Sequence, residues 1–298
     1  MIAPSDLYEL SGLVALGAGV GLIAGMFGVG GGFLLTPLLS ILFHLPLEVA
    51  IGTGLCQMIG VAVSAYLRHR RLGQGEVKLD WMMLAGSLVG VGLGAQTVTA
   101  LAAKGSLVVG GHTIAWAKLV LSISYIVLLS GIAFWMARDA HRPSLPLGMP
   151  RSPGPLTRFL LPPMTGLPRS GHRISASFTG YIGLVMGFLS GLLGIGGGVA
   201  LMPILLYGIG LRVHMAAGTG ILVLLATSVL GTVAHARAGH VNLQIAMTLL
   251  VGSAIGAQIG ATLTARLDGQ RLRGYFVYLV LLTALAVAWD LLRVLLAW

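Results

Sequence analysis

Charge is scarce in this chain. Asp, Glu, Lys and Arg make up 9% of its 298 residues, and Asp and Glu together number 8. An ordinary soluble domain is about 25% charged, so a conventional polar surface is excluded. The one cysteine, Cys56, sits inside an apolar run, which excludes a disulfide framework and a thiolate metal site. There is no HExxH and no Gly-x-Ser-x-Gly, against an intramembrane protease or lipase. No carboxylate or histidine stripe resembles a proton relay. These absences point to a non-enzyme with no metal and no cofactor.

Apolar residues and glycine are plentiful: 56% of the chain is hydrophobic and 45 residues are glycine. Apolar runs of about 20 residues recur, each able as a helix to cross a hydrocarbon core of roughly 30 Å. The expected fold is an all-α polytopic membrane protein, with the lipid bilayer as its first partner. Its net charge of +10 does not imply nucleic acid, because the basic residues lie in short loops, as cytoplasmic loops do. Residues Met1 to Leu10 carry Asp6 and Glu9 but no Lys or Arg. Lacking the basic start of a signal peptide, they are expected to stay in the mature fold.

One block occurs twice. Gly28-Val29-Gly30-Gly31-Gly32 followed by Pro37 returns 166 residues later as Gly194-Ile195-Gly196-Gly197-Gly198 followed by Pro203. At the same offset Gly52-Thr53-Gly54 matches Gly218-Thr219-Gly220, His69 matches His235, and Gly86-Ser87 matches Gly252-Ser253. An ungapped series of this length indicates an internal duplication of the transporter kind. The expected organisation is a membrane repeat over 1–137, a Pro- and Arg-rich cytoplasmic linker over 138–174 with no fold of its own, and a second repeat over 175–298. Each repeat holds a broken segment (about 7–43 and 177–209) and three helices: about 47–67, 79–102 and 114–137, then 214–236, 243–265 and 275–298.

Loop charge bears on orientation. Arg68-His69-Arg70-Arg71 and the linker are expected on the cytoplasmic side. In the second repeat the equivalent turn holds only Arg237, while the following turn holds Arg266, Arg271 and Arg273. This exchange suits an inverted repeat, with broken segments that re-enter on their own side; full crossing would make the repeats parallel.

The breaks are the expected site. Helices that begin after a glycine break present unbonded amides and a positive dipole end, which attract an anion without a charged side chain in the bilayer. The candidate substrate-binding residues are Gly28, Gly30, Gly31, Gly32 and Phe33, with Gly194, Gly196, Gly197, Gly198 and Val199. Thr53, Gln57 and Thr219 flank them. The alternative for the glycines is close packing or a kink, and for the threonines a hydroxyl bonded to a carbonyl of its own helix. Gly86, Gly90 and Gly94, and Gly252, Gly256 and Gly260, form small-residue stripes suited to internal packing or to a homodimer. Gln96 and Gln258 lie on those helices. Lys118 is expected to snorkel, and Asp290 and Arg293 to form a local pair.

At the duplicated Gly-x-Gly-Gly-Gly-x(4)-Pro block and the Gly-Thr block after it, the chain resembles the TauE/SafE family, the sulfite exporter-like permeases of bacteria. The resemblance spans both repeats. It implies a multi-pass inner-membrane permease that exports a small sulfur-containing anion, such as sulfite or a C2 sulfonate like sulfoacetate. One departure is glycine after both Gly-Thr pairs, at Gly54 and Gly220, where relatives are expected to carry a small polar residue. An anion channel, an importer of sulfur compounds, and a membrane-embedded enzyme or assembly factor are the alternatives.

Overall fold

A computed structural model describes residues 7–71, 73, 75–109, 112–140, 154–158, 162–168, 171, 173–211, 213–264 and 269–296. The first repeat comprises α1 (Leu7–Phe27), α2 (Gly32–Leu42), α3 (Leu47–Arg71), α4 (Val77–Ala103) and α5 (Trp116–Ala140). The second comprises α6 (Ala176–Leu193), α7 (Gly198–Pro203), α8 (Val213–Gly218), α9 (Ile221–Arg237), α10 (Leu243–Thr264) and α11 (Gly269–Leu296). Among the described residues, seven helices are long and apolar enough to cross a membrane; α2, the Gly198–Ile209 stretch and α9 are shorter. The protein is an all-α polytopic membrane protein. Large apolar side chains such as Trp81, Val127, Phe134 and Leu285 are exposed on its outside, as a lipid-facing surface requires.

Both breaks fall at the duplicated glycines. Gly28, Gly30 and Gly31 have φ of 67°, 80° and 71°, and Gly194, Gly196 and Gly197 have 68°, 66° and 73°. These left-handed values are routine only for glycine. After the first break α2 returns along α1, and Phe43 lies beside Gly12.

The two repeats interleave. Gly17, Gly21 and Gly25 of α1 lie against the backbone of Leu249, Ser253 and Ala257 of α10, and Gly252, Gly256 and Gly260 lie against α1 in return. The same arrangement joins α4 to α6, where Gly86, Gly90 and Gly94 meet Gly180, Leu184 and Phe188. Glycine on both surfaces lets the backbones touch, which gives dispersion contact that larger side chains would prevent. The stripes on α4 and α10 therefore serve packing between repeats. Matching stripes on α1 and α6 complete each seam.

Equivalent helices meet in opposite order. At one end of the α3–α9 pair, Gly52 near the start of α3 lies against His235 near the end of α9. At the other end, Gly75 in the α3–α4 turn lies against Gly218 just before α9. Lys118 at the start of α5 likewise meets Asp290 near the end of α11 at 2.9 Å.

Several expectations change. Two short antiparallel strands, β1 (Ser106–Val109) and β2 (His112–Ala115), lie between α4 and α5, and the helix expected from about 114 starts at Trp116. The linker region has structure too: a 3-10 turn at Pro155–Arg158, and β3 (Met164–Gly166) paired with β4 (Arg173–Ser175). Leu167 and Ile174 are buried there, and Lys78 donates to the Gly166 carbonyl at 3.2 Å. Linker residues 141–153 lie outside the described residues. Lys118 pairs with Asp290, and Arg293, expected to pair with Asp290, lies over the Trp289 ring at 5.5 Å. The helix expected over 214–236 is divided at Thr219–Gly220, whereas α3 runs unbroken through Gly54. The backbone is left-handed at Gly220 (φ 90°), and the Asp80 carboxylate of α4 accepts from the Gly220 amide at the start of α9. Its equivalent in the second repeat is Ala246, which has no side chain to cap with.

Candidate functional site

The breaks touch. Gly32 abuts the Gly194 carbonyl, and Gly198 abuts the backbone of Val29. Hydrogen bonding stops and restarts around each. Gly28 N still donates to the Ala24 carbonyl at 2.8 Å, and the next backward bond comes from Leu34 to Gly31 at 3.1 Å. In the second break Gly194 N donates to Ser190 at 2.8 Å, and the next bond comes from Leu201 to Gly197 at 3.0 Å. Among the described residues, the amides of Val29 through Phe33 and of Ile195 through Ala200 make no backbone hydrogen bond of ordinary distance and angle. Two adjacent sets of unbonded N–H groups thus stand at two helix starts, the arrangement that favours an anion.

Aromatic side chains brace both breaks from the outer helices. Phe276 of α11 packs on Phe27 and Phe33, with ring centroids 5.0 and 6.1 Å apart. Tyr125 of α5, fully buried, donates to the Leu193 carbonyl. Between the breaks lie Met58 and Leu224, which are equivalent at the 166-residue offset and exposed by 0% and 4%. A Cβ on Gly32 would stand 2.7 Å from the Met58 sulfur, and one on Gly30 would stand 2.9 Å from Leu224 Cδ2. These glycines are needed for the close approach as well as for φ.

A cavity of about 80 Å³ opens at the first break, with Gly28, Gly30, Ser64, Ala65, Leu224 and Gln258 in its wall. One buried water needs about 10–15 Å³ by the same measure, so the space exceeds a single water. Ser64 and Ala65 lie about one turn before the Arg68–Arg71 run. A smaller pocket is lined by Gly28 of one break and Gly198 of the other, with Thr219 and Gly220. The structure therefore brings Gly28, Gly30, Gly198 and Thr219 to cavity walls. Gly31, Gly32, Phe33, Gly194, Gly196, Gly197 and Val199 are buried and line neither cavity. Gln96 lines a separate cleft with Thr99 and Arg237.

Thr53 and Gln57 sit elsewhere. The Thr53 hydroxyl accepts from Asn242 N at 3.0 Å, and the Thr219 hydroxyl accepts from Glu76 N at 3.0 Å while donating to the Met215 carbonyl at 2.7 Å. Each threonine thereby pins the first turn of the opposite repeat's third long helix. The Gln57 side-chain amide donates to Ser253 at 2.6 Å, leaving Oε1 buried without a partner. Sequence reasoning missed Met58 and Leu224, although their shared offset marked them. It also missed Asp80, although a lone acid in a membrane helix is itself a signal.

Seven helices of membrane-crossing length, and broken helices that meet beside a cavity, fit a multi-pass membrane transport protein. The family follows from comparison: the model for "Sulfite exporter TauE/SafE" matches residues 13–287, and the chain belongs to that family. It is similar to the probable membrane transporter protein YunE of Bacillus subtilis (strain 168), 26% identical over 263 residues, covering 86% of this chain and 89% of that one. A probable membrane transporter protein of Xylella fastidiosa (strain Temecula1) is 27% identical over 284 residues, covering 93% and 95%. The probable membrane transporter protein MJ0441 of Methanocaldococcus jannaschii is 24% identical, covering 88% of each chain. No solved structure matches.

Proposed function

We propose that this transporter exports a small sulfur-containing anion, sulfite or a C2 sulfonate such as sulfoacetate, across a bacterial inner membrane by alternating access. The observation that carries the reading is the pair of unbonded amide sets at Val29–Phe33 and Ile195–Ala200. Backbone N–H groups suit sulfite or sulfonate oxygens, which are acceptors only, and they bring no buried charge of their own. Gly28, Gly30, Gly31, Gly32 and Phe33 would hold the anion with Gly194, Gly196, Gly197, Gly198 and Val199. Thr53, Thr219 and Gln57 would act by fixing the helices around it.

The opposite order of contacts along α3–α9 and α5–α11 supports an inverted repeat, because a twofold axis in the membrane plane reverses equivalent helices. The return of Phe43 to Gly12 supports a broken segment that re-enters. In that arrangement the Gly28 cavity opens toward the Arg68–Arg71 face, and the basic run would concentrate anions at the entry. Met58 and Leu224 close the space between the breaks, which favours a carrier over an open pore. An interior-negative potential drives anions outward by about 2.3 kcal/mol per charge per 100 mV, so export needs no further energy source.

The test is thermal shift of the purified chain with sulfite, sulfate, sulfoacetate, taurine or chloride, for wild type and for Gly31→Val with Gly197→Val. A ligand of the native state raises the melting temperature as its concentration rises. Stabilisation of wild type by one sulfur anion, lost in the glycine variant, is the expected result. No response to any sulfur anion overturns the cargo.

A further inference from the structure

The repeat maps Ala24, Gly25 and Val61 of the open cavity onto Ser190, Gly191 and Thr227. At this second position all three residues are buried, and the Gly191 carbonyl is taken by His235 Nε2 at 3.0 Å. A carbonyl has no proton to give, so Nε2 carries the proton. In the neutral ring Nδ1 is then a bare lone pair. That nitrogen is buried and without a partner, and so is Nδ1 of His240. The two ring centroids are 5.9 Å apart.

Their meeting is built into the helix end. Gly239, at φ 76°, turns the chain so that His240 N donates to the His235 carbonyl at 2.9 Å. In this motif the two side chains brought together are ordinarily apolar; here both are imidazoles. The His235 ring meets a carbonyl of α6 and the His240 ring of the α9–α10 turn, and its Cβ lies against Gly52 of α3. Arg237 on its own helix is exposed, and Asn242 opening α10 is neutral. Among the described residues, His240 is the titratable side chain beside the His235 ring. Two further polar groups on the same helices, the hydroxyls of Ser190 on α6 and Ser228 on α9, are also buried without a partner.

We infer that His235 and His240 form a proton-binding latch on the closed face, and that uptake of one proton at His235 opens it. The neutral pair holds α9 to α6 in a dry contact. A proton placed on the His235 ring adds a charge with no carboxylate beside it among the described residues, and such a charge is stable only with water. Water enters as α9 parts from α6, and the Ser190 and Ser228 hydroxyls gain partners in the same step. The inference rests on the carrier reading for what the opened route admits, but its test needs no anion.

Ser190→Cys is made in a Cys56→Ser background, with and without His235→Gln. The purified full chain in detergent is labelled with a maleimide across a pH series. Each rate is divided by that of the same variant unfolded in dodecyl sulfate at the same pH. The side-chain amide introduced by His235→Gln can still donate to the Gly191 carbonyl but cannot take up a proton. Relative labelling should rise on acidification by up to about tenfold per pH unit, the limit for a single linked proton, and become flat in His235→Gln. A flat wild-type profile overturns the latch, and so does an equal acid response in His235→Gln. Should Ser190→Cys fail to fold, Ser228→Cys carries the same readout. An acid response with no anion stabilising the protein would keep the latch and remove the cargo.

Discussion

Gly31 and Gly197 occupy equivalent places with nearly equal backbones, φ 71° and 73°, yet their neighbours differ. A Cβ on Gly31 would lie 2.7 Å from Val20 Cγ1 and 3.1 Å from the Ala24 Cβ; on Gly197 the nearest atom, the Met186 carbonyl oxygen, is 3.5 Å away. Alanine at either position meets the left-handed penalty of roughly 1–2 kcal/mol. At Gly31 overpacking adds about 1–3 kcal/mol, because Val20 is β-branched on a packed helix and cannot swing aside. Gly197→Ala should therefore destabilise by about 1–2 kcal/mol and Gly31→Ala by about 2–5 kcal/mol. At roughly 2–4 °C per kcal/mol, thermal unfolding in detergent separates the two, with Gly31→Ala melting lower. Equal melting temperatures, or the reverse order, would refute the argument from local space.

Two further perturbations address contacts between helices. Asp80→Ala strands the Gly220 amide in a buried site and should cost about 1–3 kcal/mol, whereas Asp80→Asn keeps an acceptor and should recover most of that stability. Comparable loss in both would show that the charge matters, not the cap. Lys118→Met and Asp290→Leu should each destabilise, since each leaves one charge of a half-buried pair unmatched, and the double variant should be closer to wild type than either. Additive losses would mean the pair is not coupled.

Much of this arrangement was legible in the sequence. The breaks were, because glycines in such density inside an apolar run have few uses, and repetition at one offset removed coincidence. Packing of α4 and α10 was legible as a stripe, but not its partner, since Gly17, Gly21 and Gly25 lie 232 residues before the residues they touch (Leu249, Ser253 and Ala257). The role of the two threonines was hidden for the same reason. Their hydroxyls are used 189 and 143 residues away, and no local pattern reports a bond of that span. Asp290 and Arg293 looked paired because helical spacing puts them on one face. Lys118, brought in by the antiparallel meeting of α5 and α11, offered Asp290 a closer partner.

The interleaving of α1 with α10, and of α4 with α6, has a consequence for how the protein is made. During synthesis the first hairpin enters the membrane long before its seat exists. At roughly 5–20 residues per second, α10 follows α1 by on the order of ten seconds or more. Through that interval the glycine face of α1 is covered only by lipid or by a helper protein. A chain cut in the linker would yield two fragments, each lacking the other's seat, that become stable only when produced together.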